Sequence, residues 1–442
     1  MQRLFCGAVL FLLSFSFSFH FDLMAAEVPA VLVIGLDGFR HDYVDQYDFK
    51  FLKSFRDRAA AYARFVPQYP TLTFPNFFSM ATGRAVVDHG LLCNHFYSPR
   101  RQKLYTLRDR NSYLDAAWYH GQPIWMAIEG GMRSAVYFWP GSEVPTMTPL
   151  TVKKYDGSVP NQQRMDEVLT WLRQDPAKRP HFMMLYFSTP DSVAQKFGIG
   201  SPEFIQQIKE LDEQLESFIT TALQERPDLN IIMVSDHGMV NSDPAQQVFL
   251  DDLVNLDEYI EKKMIFPIGP LVTIYEPDAT KAAQLKDELA KKAKFYQVYL
   301  KKELPAQFNY QHEDVGDIII VAECGYYVTI HQFPQTDKAA HGYAPWLCPG
   351  HEMDGIFYAL GPSFDRGHHD LEALDNRQLY PLLLAIYGQR SIDTFAAALE
   401  YKLAYTLKVN KDKAERTGTT ETAPDSNPAP ATATASATPA AQ

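Results

Sequence analysis

Three apolar segments of the sequence each lead to an aspartate. "VPAVLVIGLDGFR" contains Asp37, "HFMMLYFSTPD" ends at Asp191, and "NIIMVSDHGM" contains Asp236 followed by His237. Short apolar runs of this kind predict buried strands of a parallel sheet. Because open parallel sheets bind ligands beyond the carboxyl ends of their strands, we expect these acids to converge there. Carboxylates beside an imidazole are donors that zinc accepts, although a single aspartate after a strand is usually a turn residue.

A threonine in the segment "YPTLTFPN" has two interpretations. The following residues, "NFFSMATG", predict a helix, since Pro75 suits a first helical turn. Thr73 would then cap the helix N-terminus, which is the usual role of a threonine at this place. Alternatively, Thr73 is a nucleophile whose hydroxyl is ionised by a metal, with the helix dipole favouring an anionic phosphate. The segment by itself leaves both interpretations open.

The segment "PDSVAQKFG" places Gln195 four residues after Asp191, a spacing that brings two side chains to one helical face. An aspartate followed there by histidine would be half of a metal site. Glutamine offers only a neutral amide oxygen, which competes poorly for zinc. Taken alone, the segment is better explained as an ordinary helix start.

The stretches between the apolar segments predict helices. "QQRMDEVLTWLRQ" and "SPEFIQQIKELDEQLESFITTALQE" are amphipathic, and "DATKAAQLKDELAKKAK" lies between the apolar stretches "GPLVTIYEP" and "DIIIVAECGYYVTIHQ". "DGIFYALGPSF" predicts another strand and "LDNRQLYPLLLAIYG" a closing helix. This alternation predicts an α/β domain with a mostly parallel central sheet and helices on both faces. We expect this catalytic domain to span 27–410, with 245–335 as a small insertion.

Composition limits the partners. The chain has 442 residues, of which 46% are hydrophobic, enough for a large core. Its formal net charge is −12 and it has no long basic stretch, which argues against polymeric nucleic acid as a partner. A small nucleotide held by metals and a few positive groups remains compatible with this charge. Residues 417–442 are rich in Pro, Ala and Thr, and we expect a disordered tail there.

Residues 1–26 have the pattern of an export signal. Arg3 precedes an apolar run that extends to about Phe21, and the small residues Ala25 and Ala26 follow. The run is barely long enough to cross a bilayer, so an uncleaved anchor is the alternative to a cleaved signal peptide. After cleavage we expect no membrane attachment and a periplasmic or secreted protein.

Cysteines and glycosylation motifs also bear on the compartment. After the predicted signal, Cys93, Cys324 and Cys348 permit one disulfide, of undetermined pairing, and one free thiol. The sequence contains no N-x-S/T motif, since Asn111-Ser-Tyr and Asn241-Ser-Asp both fail. A bacterial periplasm fits both observations.

In combination, these segments resemble the nucleotide pyrophosphatase/phosphodiesterases of the alkaline phosphatase superfamily. The resemblance runs from about Val31 to Phe364. It is carried, in order, by "VIGLDGFR", "YPTLTFPNFFSMATG", "DHGLLCNHFY", "GQPIWMAIEGG" with "FWPGSE", "KKYDGSVP", "YFSTPDS", "VSDHGM" and "HGYAP…MDGIFYALGPSF". It implies an alkaline-phosphatase-like sheet flanked by helices. It also implies cleavage of phosphodiester or pyrophosphate bonds by two zinc ions through a covalent threonine intermediate.

The resemblance further implies roles for individual residues. By position they are Thr73 as nucleophile and metal ligand, Asp37, Asp236 and His237 on the first zinc, Asp191 and His341 on the second, Asn94 as donor to a phosphate oxygen, and Phe74 and Tyr155 as aromatics stacking on a nucleobase. Gln195 replaces a histidine of the family pattern. The second site has therefore lost one of its three protein ligands, which puts its zinc in question, whereas the first is complete.

The remaining histidines receive no site role. We expect His89 to be structural, because the family uses that position for packing. His95, His331 and His351 match no ligand position of the family. The alternative for this group is that one of them approaches the second metal and replaces the missing imidazole.

The sequence thus favours an exported zinc-dependent hydrolase of phosphodiester or pyrophosphate bonds in small nucleotides. Two alternatives stay open. One is a phosphodiesterase acting on choline or lipid headgroups, although the stacking pair Phe74 and Tyr155 favours nucleotides. The other is a low-activity nucleotide-binding pseudoenzyme, which the replacement at Gln195 suggests.

Overall fold

The computed structural model describes residues 28–128, 132–364 and 371–389. The predicted signal at 1–26 and the predicted tail at 417–442 lie outside these residues. Within the described part, no helix combines the length and apolar character needed to cross a bilayer.

The strands, in chain order, are β1 (Ala30–Leu36), β2 (Ala60–Val66), β3 (His95–Ser98), β4 (Lys103–Thr106), β5 (Ser134–Tyr137), β6 (Thr151–Lys153), β7 (Phe182–Phe187), β8 (Leu229–Val234), β9 (Val240–Asn241), β10 (Gln247–Phe249), β11 (Ile265–Ile268), β12 (Leu271–Ile274), β13 (Tyr296–Leu300), β14 (Ile318–Ala322), β15 (Tyr327–Thr329), β16 (Ala339–Ala340), β17 (Gly355–Leu360) and β18 (Leu371–Asp375). The α-helices are α1 (Tyr43–Gln46), α2 (Lys50–Arg58), α3 (Thr73–Thr82), α4 (Val86–His89), α5 (Arg110–Tyr113), α6 (Ile124–Ala127), α7 (Asn161–Leu172), α8 (Asp191–Phe197), α9 (Pro202–Glu225), α10 (Asp257–Glu261), α11 (Ala279–Lys292) and α12 (Leu379–Ile386).

The central sheet has eight strands in the order β18-β2-β17-β8-β1-β7-β5-β6. The neighbours of β1, namely β7 and β8, both run parallel to it, and β5 and β6 continue the parallel arrangement. β17 is antiparallel to both of its neighbours, β8 and β2, whereas β18 pairs with β2 in parallel. The predicted alkaline-phosphatase-like α/β fold with a mostly parallel sheet is confirmed.

The three strands at the centre of the sheet are covered on both faces. Every residue of β1, β7 and β8 is buried, which explains why their sequences are continuously apolar rather than alternating. The long helix α9 is tied to the neighbouring helix α2 by a buried carboxylate. Asp212 accepts hydrogen bonds from the backbone N–H groups of Phe51 (3.0 Å) and Leu52 (2.7 Å), which lie in the first turn of α2 and lack intrahelical partners.

A second sheet of four strands, in the order β11-β12-β14-β13, lies within the range predicted as an insertion. Its neighbouring strands are antiparallel. In β14, Ile319 and Val321 join one hydrophobic cluster with Leu271, whereas Ile318 and Ile320 join another cluster on the other face. Both faces of this sheet are therefore buried, which accounts for the unbroken apolar run "DIIIVA".

One disulfide joins this region to the chain that follows the second sheet. It links Cys324, just after β14, to Cys348, and Cys93 is a buried free cysteine. The prediction of one disulfide and one free thiol is therefore confirmed, and the pairing that the sequence left open is assigned.

Candidate metal centre and active site

The three aspartates meet at one end of the central sheet. Asp37 directly follows β1, Asp236 lies two residues beyond β8, and Asp191 is the first residue of α8, beyond the end of β7. Backbone contacts tie the three together: Asp191 N–H donates to the carbonyl of Asp37 (2.8 Å), and Gly38 N–H donates to Asp236 Oδ1 (3.1 Å). Gly38 has φ +71°, and a Cβ there would lie 2.9 Å from the Cβ of Asp191. Only glycine fits this turn without moving a candidate ligand.

The first ligand group consists of Asp37, Asp236 and His237. His237 Nε2 lies 3.1 Å from Asp236 Oδ2 and 3.5 Å from Asp37 Oδ1. All three residues are buried, and within the described part of the chain neither of these two carboxylate oxygens has a hydrogen-bond partner. The other nitrogen of His237 lies 3.1 Å from the carbonyl of Gly238, to which it can donate, leaving Nε2 free for a ligand. Unpaired carboxylate oxygens inside a protein are costly, so their convergence here points to a cation.

The second ligand group consists of Asp191 and His341. Asp191 Oδ1 lies 3.5 Å from His341 Nε2, and His341 Nδ1 lies 2.8 Å from the carbonyl of Thr71, a contact that directs Nε2 toward the aspartate. The His341 ring stacks on the ring of His237 with centroids 3.8 Å apart, so His237 also comes within ligand distance of this group. Gln195 lies beside the group and donates from Nε2 to Asp191 Oδ1 at 3.1 Å.

The protonation equilibria of the two groups reflect crowded, buried negative charge. Burial raises the pKa of Asp37 well above its ordinary value, and the neighbouring Asp236 and Asp191 raise it further. Burial likewise raises the pKa of Asp191 to about 7. Burial opposes protonation of His237, but the charges of Asp236 and Asp191 outweigh this effect and raise the pKa of the imidazole. The pKa of His341 is instead lowered well below its usual value by burial and by the neighbouring His237. A bound dication would relieve this repulsion.

The donor types fit a transition-metal dication. Two sets of three donor residues lie at the site, and within each set the possible ligand atoms are within 4.8 Å of one another. The sets are Asp37, Asp236 and His237, and Asp191, His237 and His341. Mixed carboxylate and imidazole donors are typical of zinc sites that keep an open position. A third set, Cys324, Cys348 and Glu352, contains the disulfide, so its sulfur atoms are not thiolates.

Thr73 is the first residue of α3 rather than its N-cap. The N-cap position is occupied by Leu72, whose side chain makes no capping hydrogen bond. Thr73 Oγ1 instead lies 3.3 Å from His237 Nε2, next to the first ligand group. The capping interpretation of Thr73 is therefore wrong, because the helix begins one residue earlier than that interpretation requires.

A cavity of about 350 Å³ opens beside both ligand groups. Asp37, Thr73, Asn94 and Asp191 line it, together with Phe74 and Tyr155. Within the described residues Asn94 Oδ1 is buried and has no hydrogen-bond partner, so no other protein group holds its amide by that atom. Phe74 packs edge-on against Tyr113 at 6.3 Å between centroids, and Tyr155 packs edge-on against Phe138 at 5.1 Å, with 47% of Tyr155 still exposed. Six of the nine residues named from the sequence thus line this cavity, and Asp236, His237 and His341 belong to the two ligand groups beside it.

Sequence reasoning missed three residues of this site. Tyr186 donates from its hydroxyl to Asp37 Oδ2 at 2.6 Å, and Glu143 accepts from the backbone N–H of Tyr155 at 2.8 Å. Tyr113 lines the cavity beside Phe74. Tyr186 lies within the apolar strand β7, and nothing in the sequence distinguishes it from an aromatic residue of the hydrophobic core. Glu143 belongs to the quoted segment "FWPGSE" but carries no other signal.

The four further histidines considered in the sequence, His89, His95, His331 and His351, make other contacts. His89 is fully buried, hydrogen-bonded to Ser79 Oγ (2.9 Å) and near the carbonyl of Pro75 (3.1 Å), and burial lowers its pKa to about 3, which confirms a structural role. His95 packs near Phe266, His331 stacks on Phe249, and His351 contacts Arg64. Among the described residues, none of these three belongs to a candidate metal group. The alternative of a relocated imidazole ligand is therefore not supported.

Sequence comparison identifies the relatives of this chain. The family model for type I phosphodiesterase/nucleotide pyrophosphatase matches residues 31–344. The chain is 30% identical over 376 residues to the bis(5'-adenosyl)-triphosphatase ENPP4 of Bos taurus, covering 82% of this chain and 79% of the relative. It is 28% identical to ectonucleotide pyrophosphatase/phosphodiesterase family member 1 of Mus musculus, of which it spans 41%.

Solved structures agree with this assignment. Murine ectonucleotide pyrophosphatase/phosphodiesterase 5 superposes with a TM-score of 0.75 and 26% identity, covering 82% of this chain and 96% of the murine chain. An inactive threonine-to-alanine variant of the murine protein in complex with AMP gives the same TM-score at 25% identity, covering 83% of this chain and 96% of that one. The family is metal-dependent, as the two ligand groups would require. The chain belongs to the type I phosphodiesterase/nucleotide pyrophosphatase family and is a hydrolase of phosphodiester or pyrophosphate bonds.

Proposed function

We propose that this protein is an exported, zinc-dependent phosphodiesterase or nucleotide pyrophosphatase that cleaves small nucleotides through a covalent phosphothreonine. One observation carries the proposal. Thr73 Oγ1 lies 3.3 Å from His237 Nε2 and lines the same cavity as Asp37, Asp191 and two aromatic side chains. A hydroxyl at a helix N-terminus beside buried, unpaired carboxylates has the surroundings of a metal-activated nucleophile.

In this proposal Asp37, Asp236, His237 and Thr73 hold one zinc, and Asp191 and His341 hold the other. When bound, the two dications supply Lewis acidity to the attacking hydroxyl and to the phosphate, and they offset the charge of the transition state. Tyr186 holds Asp37 in place through its hydrogen bond to Oδ2. The N-terminus of α3 directs backbone N–H groups and a positive dipole end toward an incoming anion.

The reaction proceeds in two displacements on phosphorus. Thr73 Oγ loses its proton and forms the new bond to phosphorus, while the bond to the leaving alcohol or phosphate breaks and the leaving oxygen takes up a proton. Asn94 donates from its amide to a non-bridging oxygen of the phosphate, where charge develops. Water then attacks phosphorus, the bond to Oγ breaks, and Thr73 recovers its proton as the nucleoside monophosphate leaves.

The aromatic residues favour nucleotides as substrates. Phe74 and Tyr155 both line the cavity, and Tyr155 keeps 47% of its surface exposed, available to stack on a base. Relatives named for nucleotide substrates, and a murine relative whose structure contains AMP, support the same class. A quaternary ammonium headgroup can contact aromatic faces through cation–π interactions, so the named relatives decide the preference for nucleotides over choline esters.

Metal analysis and one assay test the proposal together. The purified chain should contain zinc and should hydrolyse the p-nitrophenyl ester of thymidine 5'-monophosphate. Activity should be lost on treatment with a chelator and recovered when Zn²⁺ is returned. A zinc-loaded protein that binds AMP but hydrolyses no nucleotide ester would instead establish the binding-only alternative, which the replacement at Gln195 motivates.

Removal of the aromatic rings separates nucleotides from headgroup substrates. Phe74→Ala or Tyr155→Ala should cost about 1–3 kcal/mol of stacking, or roughly 5–150-fold in kcat/KM, on the thymidine ester. Bis-p-nitrophenyl phosphate lacks a nucleobase, and if its nitrophenyl rings do not reach the base pocket it should be hydrolysed nearly as fast by the variants as by the unmodified chain. Equal losses on both substrates would mean that the rings support the fold or bind a different group. Leu104→Ala, at an exposed apolar position outside the cavity lining, is the matched control.

Export to a periplasmic or extracellular compartment is part of the proposal. It is supported by the signal-like residues 1–26, by the disulfide Cys324–Cys348, and by relatives that are named ectonucleotide enzymes or venom phosphodiesterases. The mass of the mature N-terminus, measured after expression in a secretory host, should show cleavage near Ala26. An intact N-terminus in the membrane fraction would instead establish the uncleaved anchor.

A further inference from the structure

His341 directly follows the short strand β16, which holds the chain on the N-terminal side of this histidine. β16 is paired with β9. On the other side, residues 342–344 form neither a helix nor a strand. Gly342 and Tyr343 are nevertheless buried, so their backbone groups need hydrogen-bond partners from another part of the protein.

The side chain of Thr71 supplies these partners. Thr71 Oγ1 accepts from the backbone N–H of Gly342 (2.9 Å) and donates to the backbone carbonyl of Tyr343 (2.9 Å). The carbonyl of Thr71 itself lies 2.8 Å from His341 Nδ1. Thr71 is fully buried, and hydrogen bonds that are shielded from water are stronger than exposed ones. One residue thus contacts three consecutive residues of the chain that begins at His341.

Close packing accompanies these hydrogen bonds. Gly342 has φ +108°, and a Cβ there would lie 3.1 Å from Pro270 Cδ and 3.3 Å from Leu72 Cδ2. Glycine is the residue that this backbone conformation favours, and its missing side chain lets the chain lie against Leu72. Leu72 directly precedes Thr73. The chain that follows His341 therefore contacts the segment that carries the proposed nucleophile.

The carbonyl and the hydroxyl of Thr71 differ in what they require of the sequence. Any residue at this position would present the carbonyl, whereas the hydroxyl requires threonine or serine. Without the hydroxyl, the N–H of Gly342 and the carbonyl of Tyr343 would lose these partners inside the protein, which is costly unless the chain moves to find others. Such a movement would displace His341, whose Nε2 lies 3.5 Å from Asp191 Oδ1.

We propose that Thr71 is a positioning residue whose hydroxyl fixes His341 relative to Thr73 and thereby builds the second ligand group onto the nucleophile segment. The roles of His341 as ligand and of Thr73 as nucleophile rest on the proposed function. Loss of a group that orients a metal ligand lowers metal affinity by roughly 10–100-fold. This loss should fall on the second equivalent of zinc and spare the first, because the carboxylates Asp37 and Asp236 follow other strands.

Competitive zinc titration tests the role of the hydroxyl. The purified chain, freed of metal, is titrated with Zn²⁺ against a chromophoric chelator, both unmodified and with Gln195→His, in which the second equivalent should bind more tightly. In both backgrounds Thr71→Val, which keeps the shape of the side chain but not the hydroxyl, should bind the second equivalent roughly 10–100-fold more weakly and the first almost unchanged. Thr71→Ser, which keeps the hydroxyl, should match its parent. Thr71→Ala also lacks the hydroxyl and replaces Thr71→Val if that variant does not fold.

A control variant and a turnover measurement separate positioning from general damage to the fold. Thr82→Val is the matched control, because Thr82 is also buried and donates from its hydroxyl to the carbonyl of Phe78 (2.7 Å), but it is the last residue of α3. It should leave both zinc equivalents unchanged. Thr71→Val should hydrolyse the thymidine ester more slowly than the unmodified chain, and added Zn²⁺ should recover its turnover by refilling the weakened site. A purely structural defect would not respond to zinc.

Four results would overturn the inference. Thr71→Val could bind the second equivalent like its parent, lose both equivalents equally, or be matched by Thr71→Ser. Absence of a second equivalent in both parent backgrounds would also overturn it, since no second cation would then be positioned. Failure of the proposed function is a different outcome: a chain that binds two equivalents with this dependence on Thr71, but hydrolyses no nucleotide ester, keeps the positioning role and loses the proposed activity.

Discussion

The two ligand groups meet at the stacked imidazole rings of His237 and His341, yet their carboxylates differ in hydrogen bonding. In the first group, Asp37 and Asp236 each have one oxygen without a hydrogen-bond partner among the described residues, and backbone and side-chain donors hold their other oxygens. In the second group, Gln195 donates to the oxygen of Asp191 that faces His341. The first group therefore carries the full free-energy cost of burying unpaired carboxylate oxygens, whereas the hydrogen bond from Gln195 reduces this cost in the second group. This difference indicates that the first group is organised for a resident cation and the second for one that needs further ligands.

Loss of the nucleophile should have the largest effect. We expect Thr73→Ala to lower hydrolysis of the thymidine ester by on the order of 10³-fold or more, since no covalent intermediate can form. Its melting temperature should stay close to that of the unmodified chain, because Leu72 and not Thr73 holds the N-cap position. Thr170→Ala, on the exposed surface of α7, is the control. Substantial turnover by Thr73→Ala would refute the nucleophile assignment.

Removing one carboxylate from each group compares the groups directly. Loss of a residue that supports a metal ligand lowers metal affinity by roughly 10–100-fold, and Asp236→Asn should lower the affinity for the tightly bound zinc by more than this. Asp191→Asn should lower the affinity only for the second equivalent of zinc. Without metal, Asp236→Asn should be at least as heat-stable as the unmodified chain, because it removes charge that raises the pKa of Asp37. Zinc stoichiometry after dialysis and metal-free melting temperature are the measurements. If both variants lost the same equivalent, the two groups would form a single site.

Gln195→His should make the second group resemble the first. We expect the unmodified chain to bind one zinc tightly and one weakly, and its activity to rise with added zinc. It should also accumulate nucleotidyl-Thr73, because the attack of water on this intermediate depends on the second group more than the attack of Thr73 on the substrate does. The variant should bind nearly two zincs and turn over about 10–100-fold faster. Intact mass after acid quench detects the covalent species. Two tight zincs and no covalent species in the unmodified chain would contradict this account.

Tyr186→Phe should have the smallest effect and should be confined to the first group. The ring is retained, so its edge-on packing against Phe77 (5.4 Å between centroids) persists, while the hydrogen bond to Asp37 Oδ2 is lost. Burial and Asp37 raise the pKa of Tyr186 well above its usual value, so the hydroxyl is a proton donor throughout the working range. We expect about 10-fold weaker binding of the tight zinc and no change in the second equivalent. A weaker second equivalent would show that Tyr186 acts through the whole fold.

Much of the fold was predictable because its central strands are buried on both faces. Continuous apolar runs identified β1, β7 and β8, and amphipathic periodicity identified α7 and α9. The start of α3 was predicted only approximately, because Pro75 is compatible with more than one position in a first turn and Leu72 gives no capping signal. The partners and directions of β2, β17 and β18 were not predictable, since these strands pair across long separations in the chain.

The sequence alone determined which residue types are available for chemistry: carboxylates after apolar strands, an adjacent imidazole, a threonine near a helix start, and glutamine in place of histidine at position 195. Those types follow from the order of residues and need no coordinates. Only the tertiary structure decided how the groups share their hydrogen bonds. Tyr186 donates to Asp37 from 149 residues away, His341 is oriented by the carbonyl of Thr71, and Gln195 faces Asp191 with its N–H. Such contacts depend on the relative placement of strands and loops, so side-chain identity and spacing cannot specify them.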